Sequence, residues 1–328
     1  MNRQHPQPFS PEAAIRIIQA GYNGIVETDV PLKQFTSFYI GGPAALYTRV
    51  SRPDDASQLL KTVSSANIPY LIIGGGTNLL VSDDGFEGLA VHARFDKLHI
   101  TPDGLVSVGA SVQVSNLVEQ TVSAGFAGLE FAAGLPGTVG GAVAGNAGCF
   151  GSSFGDVLHS ARILTAQGDI QTVSPEWFQF EYRCSEVNAQ KALVVEARFQ
   201  LHKGDRNALR QTADSHTALR REKHPARHIK TAGSYFKNLP PLHPGERRRA
   251  AGILLEEIGA KNESVGDAAV FEKHANILIN RANATAKDML TLETRLRRKV
   301  FKQFGELLEP EVRFIGRRPV IDEPGPAV

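Results

Sequence analysis

The sequence predicts an α+β protein, and three observations carry that expectation. Strand-like and helix-like runs interleave irregularly, without the regular alternation of a doubly wound sheet. Two glycine-rich loops, at 74–76 and 134–155, follow apolar runs and point to a large ligand gripped by bare backbone. Near Lys203 the composition turns polar and basic, which marks a domain boundary at about residue 202.

The elements follow in order. Ser10-Pro11-Glu12 supplies a capping hydroxyl, a proline at the first helical position and an acid in the first turn, so a short half-buried helix continues through Ile15, Ile17 and Ile18. From Val30 the texture becomes strand-like, in FTSFYIGGPA and then ALYTRV. Residues 51–66 read as a helix packed before an apolar strand at 70–73. Strands are expected over 89–110, with Pro102-Asp103-Gly104 as a hairpin turn, and a helix at about 114–123 leads into the second glycine loop. Beyond it come a hairpin around Gln167-Gly168-Asp169 and the strand ALVVEARFQL. The basic stretch 202–230 contains a solvated helix ending before Pro225, and such a charge run is more often a wet face than a phosphate site. A helix AAGILLEEIGA, a strand ANILIN, a long helix capped by Thr285 and Asp288, and a last strand LEPEVRFIG complete the chain.

The second loop is the most informative stretch. Eight glycines fall among the 22 positions from Gly134 to Gly155, and no charged side chain lies between Glu130 and Asp156. Pro136, Asn146 and the shortage of large apolar residues argue against a membrane span. The break in spacing at Gly140-Gly141 excludes a collagen repeat, and the interleaved Ala, Val, Leu and Phe exclude a flexible linker. What remains is an ordered loop and helix start whose amides face an anionic group such as a diphosphate. The first loop, YLIIGGGTNLL, lacks the Lys-Ser/Thr of a P-loop and the G-x-G-x-x-G of a dinucleotide fingerprint.

With 328 residues, 42% hydrophobic and 21% charged, the chain is an ordinary globular protein long enough for two or three domains. A net charge of +2 is too small to argue for a nucleic-acid partner. Two cysteines, Cys149 and Cys184, fit neither a disulfide framework nor a metal site, and imply a cytoplasmic setting. The first 13 residues lack the apolar core of a signal peptide, and no fixed-period repeat is present.

Six blocks, in order, resemble one family: GGGTNLLVSD, GLEFAAGLPGTVGGAVAGNAG, YRCS, AGSYFKN, KHANILIN and LEPEVRFIG. The chain is similar to the UDP-N-acetylenolpyruvoylglucosamine reductases from about Pro31 to Gly316. The resemblance implies an FAD-binding fold of the vanillyl-alcohol-oxidase (PCMH) type in two subdomains, followed by a C-terminal α+β substrate-binding domain. It implies FAD as cofactor, NADPH as co-substrate and a UDP-sugar enolpyruvyl ether as substrate, with no membrane insertion. An FAD-dependent oxidase of small alcohols is the rival on the same fold. The implied organisation is a lead-in over 1–26, the FAD domain over 27–202 divided near 100, the substrate domain over 203–316, and a loose tail over 317–328 with Pro319, Pro324 and Pro326. The short distance from Arg183 to Ser234 resembles the family's shorter class.

Carried over motif by motif, the family's catalytic groups are Arg183 in Tyr-Arg-Cys-Ser, Ser234 in AGSYFKN, and Glu311 before Val-Arg. Gly74, Gly75, Gly76, Thr77 and Asn78 are expected around the cofactor diphosphate, with Gly134, Gly137, Gly140, Gly141 and Asn146 on the other side. Tyr182, Lys237, Asn238, Lys273 and His274 are lesser candidates for substrate contact. Leu239 stands where the family has proline, and Lys261-Asn-Glu-Ser264 replaces a more glycine-bearing turn. Each catalytic assignment has an ordinary competitor: a surface ion pair for Arg183, a turn cap for Ser234, a solvent-facing strand position for Glu311. Arg183 suits an anionic intermediate because guanidinium stays ionised and can hold a carboxylate bidentately.

Overall fold

The computed structural model describes residues 9–321. Its first unit comprises α1 (Pro11–Gly21), β1 (Glu27–Pro31), β2 (Pro43–Val50), α2 (Pro53–Ser65), β3 (Tyr70–Ile73), β4 (Leu79–Val81) and β5 (Phe86–Ala93). The sheet runs β1-β2-β5-β3, antiparallel at β1–β2 and parallel elsewhere. Local chemistry explains α2: Pro53 sits at its start, Asp54 and Asp55 face the positive end of the helix dipole, and Ala56, Leu59, Leu60 and Val63 form a buried stripe. Complete burial of each of the larger side chains contributes about 1.5–3 kcal/mol.

The second unit comprises β6 (Leu98–Ile100), β7 (Leu105–Gly109), α3 (Val114–Ala124), α4 (Val139–Ala144), β8 (Leu158–Leu164), β9 (Ile170–Val173) and β10 (Leu193–Gln200). Its sheet is antiparallel throughout, in the order β9-β8-β10-β7-β6. One apolar core spans both units, joining Leu59 and Val91 to Val106, Leu117 and Phe199.

The rest of the chain comprises α5 (Arg206–Lys223), β11 (Lys230–Ser234), α6 (Ala251–Glu257), β12 (Ser264–Val265), β13 (Ala268–Phe271), β14 (His274–Asn280), α7 (Ala286–Phe304) and β15 (Arg313–Ile315). The sheet β11-β14-β13-β12 packs with α6 and α7 around a second core. Thr285 and Asp288 form the reciprocal capping box at the start of α7, and Gly305 ends it with φ +70°. Among the described residues no helix is long and apolar enough to cross a membrane.

Three expectations need correction. FTSFYIGG is not a strand: Leu32–Phe35 is a 3₁₀ turn, and the Thr36 hydroxyl bonds both the amide and the carbonyl of Ile40, closing a loop in place of a ladder. Helix α5, placed by composition beyond the boundary at 202, packs Leu209 and Ala213 into the first core, because a basic helix still needs an apolar stripe to dock. The last strand is short, and Glu311 precedes it; Arg313–Ile315 pairs in parallel with β4 of the first unit. Of the expected loose tail, residues 322–328, with Pro324 and Pro326, lie outside the described residues.

Asp83, beside β4, accepts from the amides of Ala286 at 2.7 Å and Lys287 at 3.1 Å, so it holds the start of α7 to the first unit. Asp83→Ala is expected to lower the unfolding free energy by about 1 kcal/mol. Urea titration checks this: an unchanged midpoint at constant slope means the bridge contributes nothing.

Candidate active site

The first glycine loop leaves the end of β3 and turns at Gly76, whose φ is +62°. A Cβ there would lie 1.7 Å from the Phe35 carbonyl oxygen, so no other residue fits. In the second loop Gly137 has φ +104°, and a Cβ on it would meet the Thr77 hydroxyl at 2.6 Å. A Cβ on Gly75 would come within 3.1 Å of Gly137 Cα. The two loops therefore lie backbone against backbone, and much of the glycine requirement is contact between loops.

The hydrogen bonds refine the picture of amides facing an anion. At the start of α4, Val139 N donates to Val112 O and Gly140 N to Ala110 O, while Gly141 N points at the Thr138 hydroxyl. The expected anion site at this helix start is thus occupied by the protein's own acceptors. The amides of Gly75, Gly76, Thr77 and Asn78 in the first loop, and of Gly137 and Thr138 in the second, donate to no described residue. Those are the groups that can receive a diphosphate.

Both loops wall one cavity of about 360 Å³, which takes in Gly74, Gly75, Gly76, Thr77, Asn78, Gly137, Gly140 and Gly141. Gly74, Gly75 and Gly141 are exposed to it. A second chamber of about 420 Å³ shares Gly74, Gly75 and Thr138 as wall and adds His92 and Arg94. His92 is held to a pKa of about 4 by burial and by Arg94 and Arg49. Bare backbone, unused amides and a two-chambered shape fit an extended dinucleotide such as FAD.

Arg183, Ser234 and Glu311 all open onto the first of these cavities. Arg183 sits in the tight turn Glu181–Cys184, closed by two reciprocal backbone bonds of 3.2 Å, with φ +57°, a left-handed conformation that a branched or bulky side chain rarely adopts. Its Nη2 donates to Gly148 O at 2.8 Å. Its Nε lies 2.9 Å from Glu311 Oε1, yet this buried N–H is not aimed at the carboxylate, so the pair is an ion contact that leaves hydrogen-bonding capacity unspent. Burial pushes the Glu311 carboxyl above the ordinary range, and Arg183 and Lys237 pull it back. Glu311 is anchored by its backbone: its amide donates to Tyr235 O at 2.8 Å and its carbonyl accepts from Asn78 Nδ2 at 3.0 Å. Ser234 ends β11 just after Gly233 (φ +79°), beyond an irregular register with β14. Its hydroxyl bonds no described residue.

Two expected cofactor residues do not reach the cavity wall. Gly134 offers its carbonyl to Arg220 Nε at 3.1 Å. Asn146 is buried and braces the Arg183 turn, donating from Nδ2 to Glu181 O and accepting at Oδ1 from Gly155 N, both at 2.9 Å. The lesser substrate candidates also lie off the wall. The Tyr182 ring carries the Arg248 guanidinium at 4.0 Å and that of Arg183 at 5.3 Å. Lys237 pairs with Glu309 at 2.6 Å, and Asn238 Oδ1 accepts from Ala251 N at 3.3 Å. His274 lies beside His224, ring centroids 5.8 Å apart, and Lys273 is exposed. Sequence reasoning passed over Arg220 and His224, which do line the cavity. Their signal was the basic stretch itself, whose helix turns one face inward. Burial, Arg220 and His274 together bring the His224 pKa to about 4.

A cavity walled by free amides, with a guanidinium, a carboxyl and an unpartnered hydroxyl at one end, can hold a phosphorylated cofactor beside a carboxylate-bearing substrate. Residues 44–174 match the family model described as an FAD binding domain, so the fold and site are those of a flavin-dependent oxidoreductase. Residues 224–315 match the C-terminal domain of UDP-N-acetylenolpyruvoylglucosamine reductase. The enzyme of that name from Gloeobacter violaceus is 38% identical over 294 residues, covering 89% of this chain and 97% of the relative. Its counterpart from Latilactobacillus sakei is 37% identical over 294 residues, 89% and 94% of the two chains. The crystal structure of the Thermus caldophilus reductase superposes with a TM-score of 0.75 at 30% identity, over 89% of this chain and all of that one. The chain belongs to the UDP-N-acetylenolpyruvoylglucosamine reductase family.

The two adjacent glycines of α4 separate the roles of glycine here. A Cβ on Gly140 would meet Ala110 Cβ at 2.6 Å, whereas one on Gly141 meets nothing closer than the Thr138 hydroxyl at 3.5 Å. Gly141→Val is expected to fold yet purify without flavin absorbance, its side chain filling cofactor space; Gly140→Val is expected to lose native circular dichroism. A yellow Gly141→Val protein would place the cofactor elsewhere.

Proposed function

We propose that this protein reduces UDP-N-acetylenolpyruvoylglucosamine to UDP-N-acetylmuramate with NADPH, through bound FAD, as a step of peptidoglycan precursor synthesis. The observation that carries the reading is the convergence of Arg183, Ser234 and Glu311, from three distant stretches of sequence, on one cavity with the glycine loops. A cytoplasmic setting accords with two unpaired cysteines, Cys149 and Cys184.

The amides of Gly75–Asn78 and of Gly137 and Thr138 would hold the cofactor diphosphate. When bound, the flavin supplies reversible two-electron transfer, which no side chain can perform. Reduction at the terminal carbon of the enol ether leaves negative charge on the neighbouring carbon, spread into the substrate carboxylate. Arg183 answers that charge: its guanidinium is already oriented by Gly148 O and retains a free N–H direction. Glu311 lies 2.9 Å from that guanidinium, where burial raises its pKa against the pull of Arg183 and Lys237, and it would act as a hydrogen-bond or proton partner of the anionic intermediate. Ser234 has no competing partner, so its proton is available to the carbanionic carbon. A hydroxyl is a weak acid, and this transfer requires a strongly basic intermediate and a rigid donor.

Anaerobic stopped flow separates the two half-reactions. Ser234→Ala is expected to be reduced by NADPH at the normal rate and re-oxidised by the enolpyruvyl sugar nucleotide roughly 10²- to 10⁴-fold more slowly. An unchanged second phase removes Ser234 as proton donor. Arg183→Lys is expected to slow the same phase by about a hundredfold, since an ammonium lacks the planar fork. Normal turnover in that variant removes Arg183 from the site.

A further inference from the structure

The segment that carries Ser234 is paired with the segment that carries Glu311. Glu311 N donates to Tyr235 O and Lys237 N to Glu309 O, each at 2.8 Å, with Phe236 opposite Pro310. Across the other edge, Tyr235 N donates to Asn276 O at 2.8 Å, while the Asn276 side chain bonds the amide and carbonyl of Phe236 at 2.9 and 2.8 Å. Both halves of this short ladder are gripped by one turn of α7. Glu293, only 3% exposed, accepts from the Tyr235 hydroxyl at 2.8 Å. Four residues on, Arg297 donates from Nε to Leu308 O at 2.9 Å and lies 3.6 Å from Glu293 Oε1.

Neither Tyr235 nor Glu293 opens onto the cavity, so contact with substrate does not account for them. A carboxyl buried on a face shared with Met289, Leu292, Leu296 and Val300 is costly, and burial pushes the pKa values of Glu293 and Tyr235 up. An apolar pair of the same volume would fill the space without that cost. What it would lack is direction: a 2.8 Å bond fixes the rotation and axial position of the strand.

We propose that Tyr235 and Glu293, clamped by Arg297, are positioning residues: they set the register of the 235–237/309–311 ladder and thereby the placement of the Ser234 hydroxyl relative to the Glu311 carboxyl. The inference rests on the roles given above to Ser234 and Glu311, and it extends them to two residues outside the cavity.

The test uses the full-length holoenzyme and two near-isosteric variants. Tyr235→Phe keeps the ring and loses the bond; Glu293→Gln keeps an acceptor for the hydroxyl and loses the charge. For Tyr235→Phe, hydrogen exchange at the Glu311 amide is expected to accelerate about tenfold while that at Val91, in β5, is unchanged. Re-oxidation by substrate is expected to slow by about tenfold or more with NADPH reduction unaltered, because small displacements of reacting groups are expensive. Glu293→Gln is expected to stay within about threefold of the parent in both measurements, since the bond survives. The proposal is overturned if Tyr235→Phe melts at a lower temperature but leaves Glu311 exchange and substrate re-oxidation unchanged, which is the signature of a purely structural pair. It is also overturned if Glu293→Gln is as impaired as Tyr235→Phe. Failure of the underlying reading looks different: the Ser234→Ala variant then re-oxidises normally, while Tyr235→Phe still loosens the Glu311 amide.

Discussion

The last strand of the chain returns to lie parallel to β4, and that pairing constrains much of what surrounds the cavity. Arg313 pairs with Leu79, Phe314 with Leu80 and Ile315 with Val81, closing a loop of more than two hundred residues. Because β4 directly follows GGGTN, the return brings the polypeptide before β15 onto the first glycine loop. Arg313 N donates to Asn78 O, and Asn78 Nδ2 donates to Glu311 O. The Glu311 segment and the first glycine loop are thus joined by main-chain geometry. A closure of this length carries a large entropic cost, which the second core offsets by burying Phe38, Ile40 and Leu80 of the first unit with Leu278, Leu290 and Leu296 of the last.

The electrostatics of the cavity follow from that placement. Arg183 and Glu311 are partly withdrawn from water, where an ion pair gains less than its desolvation costs unless every donor is used. Here one donor is held by Gly148 O, while another is close to the carboxylate but misaligned. Such an arrangement is poor as a staple and good as a receptor for an incoming anion. The left-handed backbone at Arg183 fits the same interpretation: a strained turn is held by Asn146, which donates to Glu181 O and is itself fixed by the Gly155 amide.

Helix starts were legible from local chemistry: the Ser10 and Thr285 hydroxyls cap amides three residues on in α1 and α7, and Pro53 followed by Asp54 and Asp55 opens α2. The hairpins at Gly104 and Gly168 were legible for the same reason. FTSFYIGG misled because its residue types suit a strand, whereas Thr36 satisfies a loop from within. Gly134 and Asn146 stand off the cavity wall, and glycine density in a sequence does not distinguish backbone facing a ligand from backbone facing backbone. Basic residues on α5 likewise gave no sign of which of them turn inward.

The sequence by itself determined the family and offered an arginine, a serine and a glutamate as candidates for the chemistry, since each is a property of residue type and short-range order. Only the tertiary structure decided which amides stay free, which arginines face the cavity, and how Ser234 and Glu311 come to share one wall. Those outcomes depend on partners far away along the chain, such as Asn78 with Glu311 and Tyr235 with Glu293, and no local pattern encodes a hydrogen bond between residues so distant.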